Sequence, residues 1–138
     1  SAGPGAEPPG PLNPLEPVAP PAEGLAPLAT ARVAEIVFPG HANHRGILHG
    51  GPAMAWMAKA GFVAATRQTR RSVVMACSER MDFVAPARVG EVVEVLAEVV
   101  ATGRRSVRVA ARMEAECPVT GERRCCTTAE LVYVVVCD

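Results

Sequence analysis

Acidic side chains are missing from a long stretch of this 138-residue chain: neither aspartate nor glutamate lies between Glu35 and Glu79. Any hydrolytic site built from that stretch lacks a local carboxylate to activate water. Lysine is nearly absent too, Lys59 being the single one. Arginine supplies the other basic residues, and 14 basic residues balance 14 acidic ones. A balanced chain lacks the excess that a general nucleic-acid binder carries, so no nucleic-acid partner is expected. No C-x-x-C pair occurs, the five cysteines are odd in number, and Cys125 and Cys126 are sequence neighbours. The three histidines share one loop without a cysteine. A disulfide framework and a zinc site are therefore not expected, and the cysteines read as small strand residues in a reducing compartment. The longest apolar run, from Gly50 to Thr66, is broken by Lys59 and falls short of the ~20 residues a bilayer needs. With no secretory signal pattern at the start of the chain, a cytoplasmic location without membrane contact is expected.

What is present divides into two zones. Residues 1–28, "SAGPGAEPPGPLNPLEPVAPPAEGLAPL", hold most of the prolines. Proline lacks the N–H that helices and central strands need, so this arm should be extended or disordered. Residues 29–138 are expected to form one domain, the size of chain that supports a single core. "ARVAEIVFP" (31–39) alternates as a strand. A helix is expected from about Pro52 to Thr69, with Pro52 in its first turn. Met54, Met57, Ala58, Gly61, Phe62 and Ala65 make one apolar face of it, with Trp56 on a different side. Four strands should follow over 72–86, 91–103, 104–117 and 123–136, alternating apolar with polar residues. One strand, a long helix and four antiparallel strands make an α+β domain with a sheet wrapped round the helix.

Four motifs then stand in order. "FPGHANHRGILHGG" (38–51) is a strand-to-helix corner carrying Asn43, Gly46, Gly50 and Gly51, and "AWMAKAGFVAATR" (55–67) continues into the helix. "MDFVAPARVGE" (81–91) has the form Phe-x-x-Pro-x-x-x-Gly, and "ATGRRSVRV" (101–109) has the form Gly-Arg-x-Ser. Together they resemble the hotdog-fold acyl-CoA thioesterases over roughly residues 32–138. His49-Gly50-Gly51 is also similar to the His-Gly-Gly motif of a sister branch of that fold. The resemblance implies a hotdog fold, with a long central helix wrapped by an antiparallel sheet. It further implies pairing as a homodimer, often assembled to a tetramer or hexamer, with each site at the dimer interface. The implied reaction is hydrolysis of acyl-CoA thioesters in fatty acid metabolism. No cofactor is implied beyond the coenzyme A of the substrate itself.

Carried over residue by residue, the resemblance puts the site asparagine at Asn43 and the oxyanion-binding N–H at Gly51. The acid that activates water or attacks the carbonyl falls on Ala58. Arg104, Arg105 and Ser106 are candidates for holding the CoA phosphates or pantetheine, since a planar guanidinium suits phosphate. Met54, Met57 and Phe62 are candidates for an acyl tunnel or for core packing. His49 is expected to fix the corner by bonding to a backbone carbonyl, and Gly50 to contribute to the substrate cradle. Lys59 points about 100° round the helix from Ala58 and carries the wrong charge for a base unless desolvated. Three explanations of Ala58 stay open. It is a substitution introduced to trap a ligand, or the mark of a natural relative that is non-catalytic or weakly catalytic. Otherwise Glu79, Asp82 or a carboxylate of a partner subunit takes the role. Glu79 and Asp82, three apart on a strand, are expected to face opposite sides. A hydratase on the same fold would need a catalytic histidine, and His49 stands at the wrong point for one.

Overall fold

The computed structural model describes residues 28–136; the proline-rich arm, apart from Leu28, lies outside the described residues. β1 (Thr30–Ile36) leads through a 3₁₀ turn (Pro39–His41) to the helix α1 (Gly50–Thr69). Four strands follow: β2 (Val73–Phe83), β3 (Val92–Thr102), β4 (Ser106–Glu116) and β5 (Arg123–Val135). They form one antiparallel sheet in the order β1-β3-β4-β5-β2. This is the α+β, hotdog arrangement, one long helix lying across one face of a sheet.

Alternation in the strands produces the inner face. Val93, Val95, Ala97 and Val99 of β3 are fully buried, with partly exposed residues between them. Val109, Ala111 and Ala115 of β4 are fully buried too, although Ala110 there breaks the alternation by being buried as well. The outer face carries charge instead. Arg123 reaches Glu94 at 2.8 Å, Glu116 at 3.0 Å and Glu114 at 3.1 Å. Pairs this exposed add little individually and chiefly keep the face wet.

α1 begins at Gly50, two residues before the expected start. Pro52 still falls in the first turn, where a missing N–H breaks no helical bond. The helix ends where Arg70 turns left-handed (φ 52°) and donates its N–H to the Thr66 carbonyl at 2.7 Å. Its buried face differs from the one expected. Ala53, Trp56, Met57, Ala60, Gly61, Ala64 and Ala65 are buried, whereas Met54 and Phe62 remain 44% and 45% exposed. Apart from Trp56 and Met57, the side chains that meet the sheet are small, which lets the helix axis come close. Gly61 marks the tightest point: a Cβ there would lie 2.5 Å from Tyr133 Oη of β5. Trp56 is buried by an edge-on contact with the His41 ring, 5.1 Å between centroids.

α1 packs chiefly on β3, β1 and β4, and β2, apart from buried Val73, is left largely exposed. Met75 stands opposite buried Tyr133 and Phe83 opposite buried Thr127, so both point to the helix side, yet both are exposed. β2 is also irregular. Its pairing with β5 shifts between Met75 and Cys77 and again between Ser78 and Arg80.

Candidate functional site

The corner before α1 is a small closed loop. Ala42 bridges Leu48, and Gly46, at φ 74°, donates to the Asn43 carbonyl at 3.0 Å. Only glycine enters that region without strain. The Asn43 Oδ1 accepts two backbone N–H groups, from Arg45 at 2.8 Å and Ile47 at 3.1 Å. Its carbonyl is thus committed to the turn, and the amide NH₂ is the part of Asn43 left to meet a ligand. His49 was expected to pin the corner with its ring, but its side chain makes no cap to the helix. His41 takes that job. Its Nδ1 accepts the Phe38 N–H at 3.1 Å, its ring abuts Trp56, and its carbonyl receives the His49 N–H at 2.8 Å.

The corner rests on the β2–β3 turn. Leu48 donates to the Ala87 carbonyl at 2.8 Å and Val89 to the Gly46 carbonyl at 3.0 Å. The turn is in turn held to β5 by Arg124, which grips Glu91 through both carboxylate oxygens (2.5 and 2.9 Å) and the Pro86 carbonyl (2.6 Å). Glu91 also accepts the Arg88 N–H at 2.7 Å. The Arg124 guanidinium, more than the backbone donor, holds the Glu91 carboxyl below its usual range.

From this anchored corner α1 departs with few acceptors for its first donors. Ala53 N–H reaches the His49 carbonyl at 3.4 Å, and Pro52 has no N–H. Gly50 and Gly51 therefore present the two first-turn amides without an intrahelical acceptor, both on exposed residues. A Cβ on Gly51 would touch nothing within 4 Å, so the space beside that residue is open.

Ala58 follows seven residues later, about 10 Å along the axis. It is half-buried and lies between Met54 and Phe62, one turn before and after it, on the uncovered side of the helix. Its carbonyl accepts the Tyr133 Oη–H at 2.6 Å. Burial pushes the Tyr133 phenol up to about 12, so it stays a donor. Glu79 and Asp82 do not approach Ala58 across the sheet, and the expectation that they face opposite sides is corrected. The irregularity between Ser78 and Arg80 inserts an extra residue, so strict alternation fails. Glu79 pairs with Arg108 and Asp82 with Arg80 (3.0 Å), both on the outer face.

Arg104, Arg105 and Ser106 stand apart from the corner. Arg104 and Ser106 line a cavity of about 250 Å³ near the C-terminal end of α1 that Gln68, Thr69 and Arg71 also line, and Arg105 is not in that lining. A 20-residue helix is about 30 Å long, which separates them from Gly51 within one chain. Arg105 is tied to β5, its carbonyl accepting the Val135 N–H at 2.8 Å, while Arg104 is exposed. Ser106 Oγ lies where a Cβ on Gly103 would be, 2.6 Å away, which explains that glycine. Met57, a candidate for an acyl tunnel, is fully buried in the core.

Two features escaped sequence reasoning. The Tyr133 contact with Ala58 was signalled only by Gly61, a glycine inside an alanine-rich helix. The Arg124–Glu91 clamp bridges residues 33 apart and leaves no local pattern. Among the described residues no group of three His, Cys, Asp or Glu is placed to hold a metal, and no helix is long and apolar enough to cross a membrane.

A single helix over an antiparallel sheet is shared with known proteins. The thioesterase superfamily profile matches residues 45–122, more than half of the chain. The chain belongs to that family. Within it the relatives are hotdog-fold acyl-CoA thioesterases. The cytosolic acyl coenzyme A thioester hydrolase of Homo sapiens is 33% identical over 120 residues, 83% of this chain but 32% of the human protein. An acyl-CoA hydrolase from Agrobacterium tumefaciens is 41% identical, with a TM-score of 0.75 over 83% of this chain and 46% of its own. An apo-hexameric acyl-CoA thioesterase is 30% identical, with a TM-score of 0.76 over 79% of this chain and 70% of its own. The chain spans about a third of the length of the human relative.

Proposed function

We propose that the chain binds acyl-CoA thioesters at a seam between two copies of itself, and that hydrolysis there is slow because Ala58 leaves the base position empty. The observation that carries this reading is the pair of open first-turn amides at Gly50 and Gly51 beside the uncovered side of α1. A thioester oxygen at those amides meets donors that strengthen as negative charge develops. The Asn43 amide, with its oxygen already committed, is a further donor for the carbonyl or for water.

Two observations support a second copy. Met54 and Phe62 of α1 and Met75 and Phe83 of β2 form an apolar surface that one chain leaves open. Arg104–Ser106 sit a helix length from Gly51. Side-by-side antiparallel pairing of two α1 helices covers the first and brings the second copy's turn toward the Gly50–Gly51 end. The arginines then meet the CoA phosphates. Homodimers assembling to a tetramer or hexamer, a cytoplasmic location and a role in fatty acid metabolism belong to this reading. No cofactor enters it.

Chemically, the amides stabilise the tetrahedral oxyanion, worth about 10²–10³ in rate per donor, whereas a positioned base adds about 10²–10⁴. Only the second contribution is missing. Ala58→Asp should therefore raise acyl-CoA hydrolysis by about 10²–10⁴ while CoA affinity changes little. Thiol release assayed with a chromogenic disulfide reads the rate. A variant that binds CoA, keeps its fold and hydrolyses no faster than the parent would leave the chain as an acyl-CoA-binding protein of the same fold.

A further inference from the structure

Between the first turn of α1 and the end of β2 the protein encloses a cavity of about 260 Å³ that the groups described so far do not use. Leu48 of the corner, Ala53 of α1, Phe83 of β2, Met113 of β4, and Cys126 and Thr127 of β5 line it. Ala53, Met113, Cys126 and Thr127 are each at most 2% exposed and form its closed floor, while Phe83, 59% exposed, stands at its mouth. That mouth adjoins the glycine pair, since a Cβ on Gly50 would lie 3.8 Å from the Phe83 ring.

The lining decides what fits. No charged side chain faces the cavity, and the Cys126 thiol is turned toward the Pro86 carbonyl at 3.7 Å. Phosphate, carboxylate or a metal ion would find no counter-charge there, whereas a hydrocarbon chain gains by leaving water. An apolar cavity of about 150 Å³ holds benzene's six carbons, so the space here holds about ten at the same density.

We infer that this cavity takes the acyl chain of the thioester whose carbonyl lies at Gly50 and Gly51, and that it restricts the substrate class to short- and medium-chain acyl groups of up to about ten carbons. The inference rests on the reading under Proposed function. Ala53 and Met113 act as specificity residues, the one because its methyl leaves room beside the helix, the other because its side chain ends the floor. Met54, Met57 and Phe62 have no part in the lining.

The experiment uses the intact protein and S-alkyl-CoA thioethers, which cannot be hydrolysed, with chains of two to sixteen carbons, alongside CoA itself. Calorimetric affinities should rise about fourfold per added methylene until about ten carbons, then level or fall. Ala53→Leu, which adds three carbons to the wall, should bring that break about three carbons earlier, and Met113→Ala should delay it by a similar amount. CoA affinity should be unchanged in both. The opposite directions separate cavity volume from general loss of stability. If CoA binds but affinity ignores chain length, or the break stays put in both variants, the cavity is not the acyl site. If CoA itself does not bind, the reading under Proposed function fails instead.

Discussion

Tyr133 and Gly61 meet at the closest approach between α1 and the sheet, and each explains the other. The phenol donates to the Ala58 carbonyl at 2.6 Å, and a helix residue with a Cβ at position 61 would collide with it. Tyr133→Phe should cost about 1 kcal/mol, the usual net worth of one hydrogen bond, because Ala58 O keeps its helical partner. Gly61→Ala should cost about 1–3 kcal/mol through overpacking, and less in the Tyr133→Phe background. A double-mutant cycle by urea unfolding reads the coupling. The phenol also sets an alkaline limit. Its folded pKa is raised from 10 to about 12, so its contribution is complete below pH 10 and is lost as pH rises through 12. The unfolding curve of Tyr133→Phe should lack that part of the alkaline decline. At this scale the sequence is an uneven guide. Asn43, Gly50 and Gly51 could be read from their spacing, whereas Tyr133 touches a residue 75 positions away and carries no local mark.

The β2–β3 turn and the corner behave as one element, since Leu48 and Val89 bond across them and Arg124 fastens the turn to β5. Glu91→Gln removes the charge in that grip and should destabilise the protein at pH 7 by about 1–2 kcal/mol, the partial exposure of Arg124 holding the figure down. Because the folded carboxyl is held below 4.5, the benefit is full above the unfolded value and disappears as pH falls below it. Melting temperatures of parent and variant should accordingly converge below pH 4.5. Strand existence and order of motifs were legible from alternation and turn residues. The helix's packing face was legible only in part: Met57, Gly61 and Ala65 are buried as expected, but Met54 and Phe62 score as core by hydropathy while Trp56 and further alanines take their place. The facing of Glu79 and Asp82 was not legible either, because an inserted residue in β2 defeats the period of two.

For the molecule as a whole, the decisive property is a sheet that one helix only partly covers. A surface holding Met54, Phe62, Met75 and Phe83 is costly to leave in water. Phe62→Glu or Met75→Glu should shift the protein toward monomer, read by sedimentation velocity, with a melting temperature that no longer rises with concentration. A parent that sediments as a monomer, or a variant that sediments like the parent, would overturn the pairing proposed through this surface. The hotdog class was readable from four ordered motifs, but no single-chain pattern could show that the arginine turn and the glycine pair lie at opposite ends of α1.

The two register shifts in β2 have a consequence for solubility. An outermost strand normally offers a regular row of free amides and carbonyls, on which any extended peptide can grow a fibre. Here the row is interrupted twice and studded with Glu79, Arg80 and Asp82, so a stray peptide finds neither even spacing nor a neutral border. The margin of the sheet thereby rejects open-ended polymerisation, although β2 is almost entirely bare.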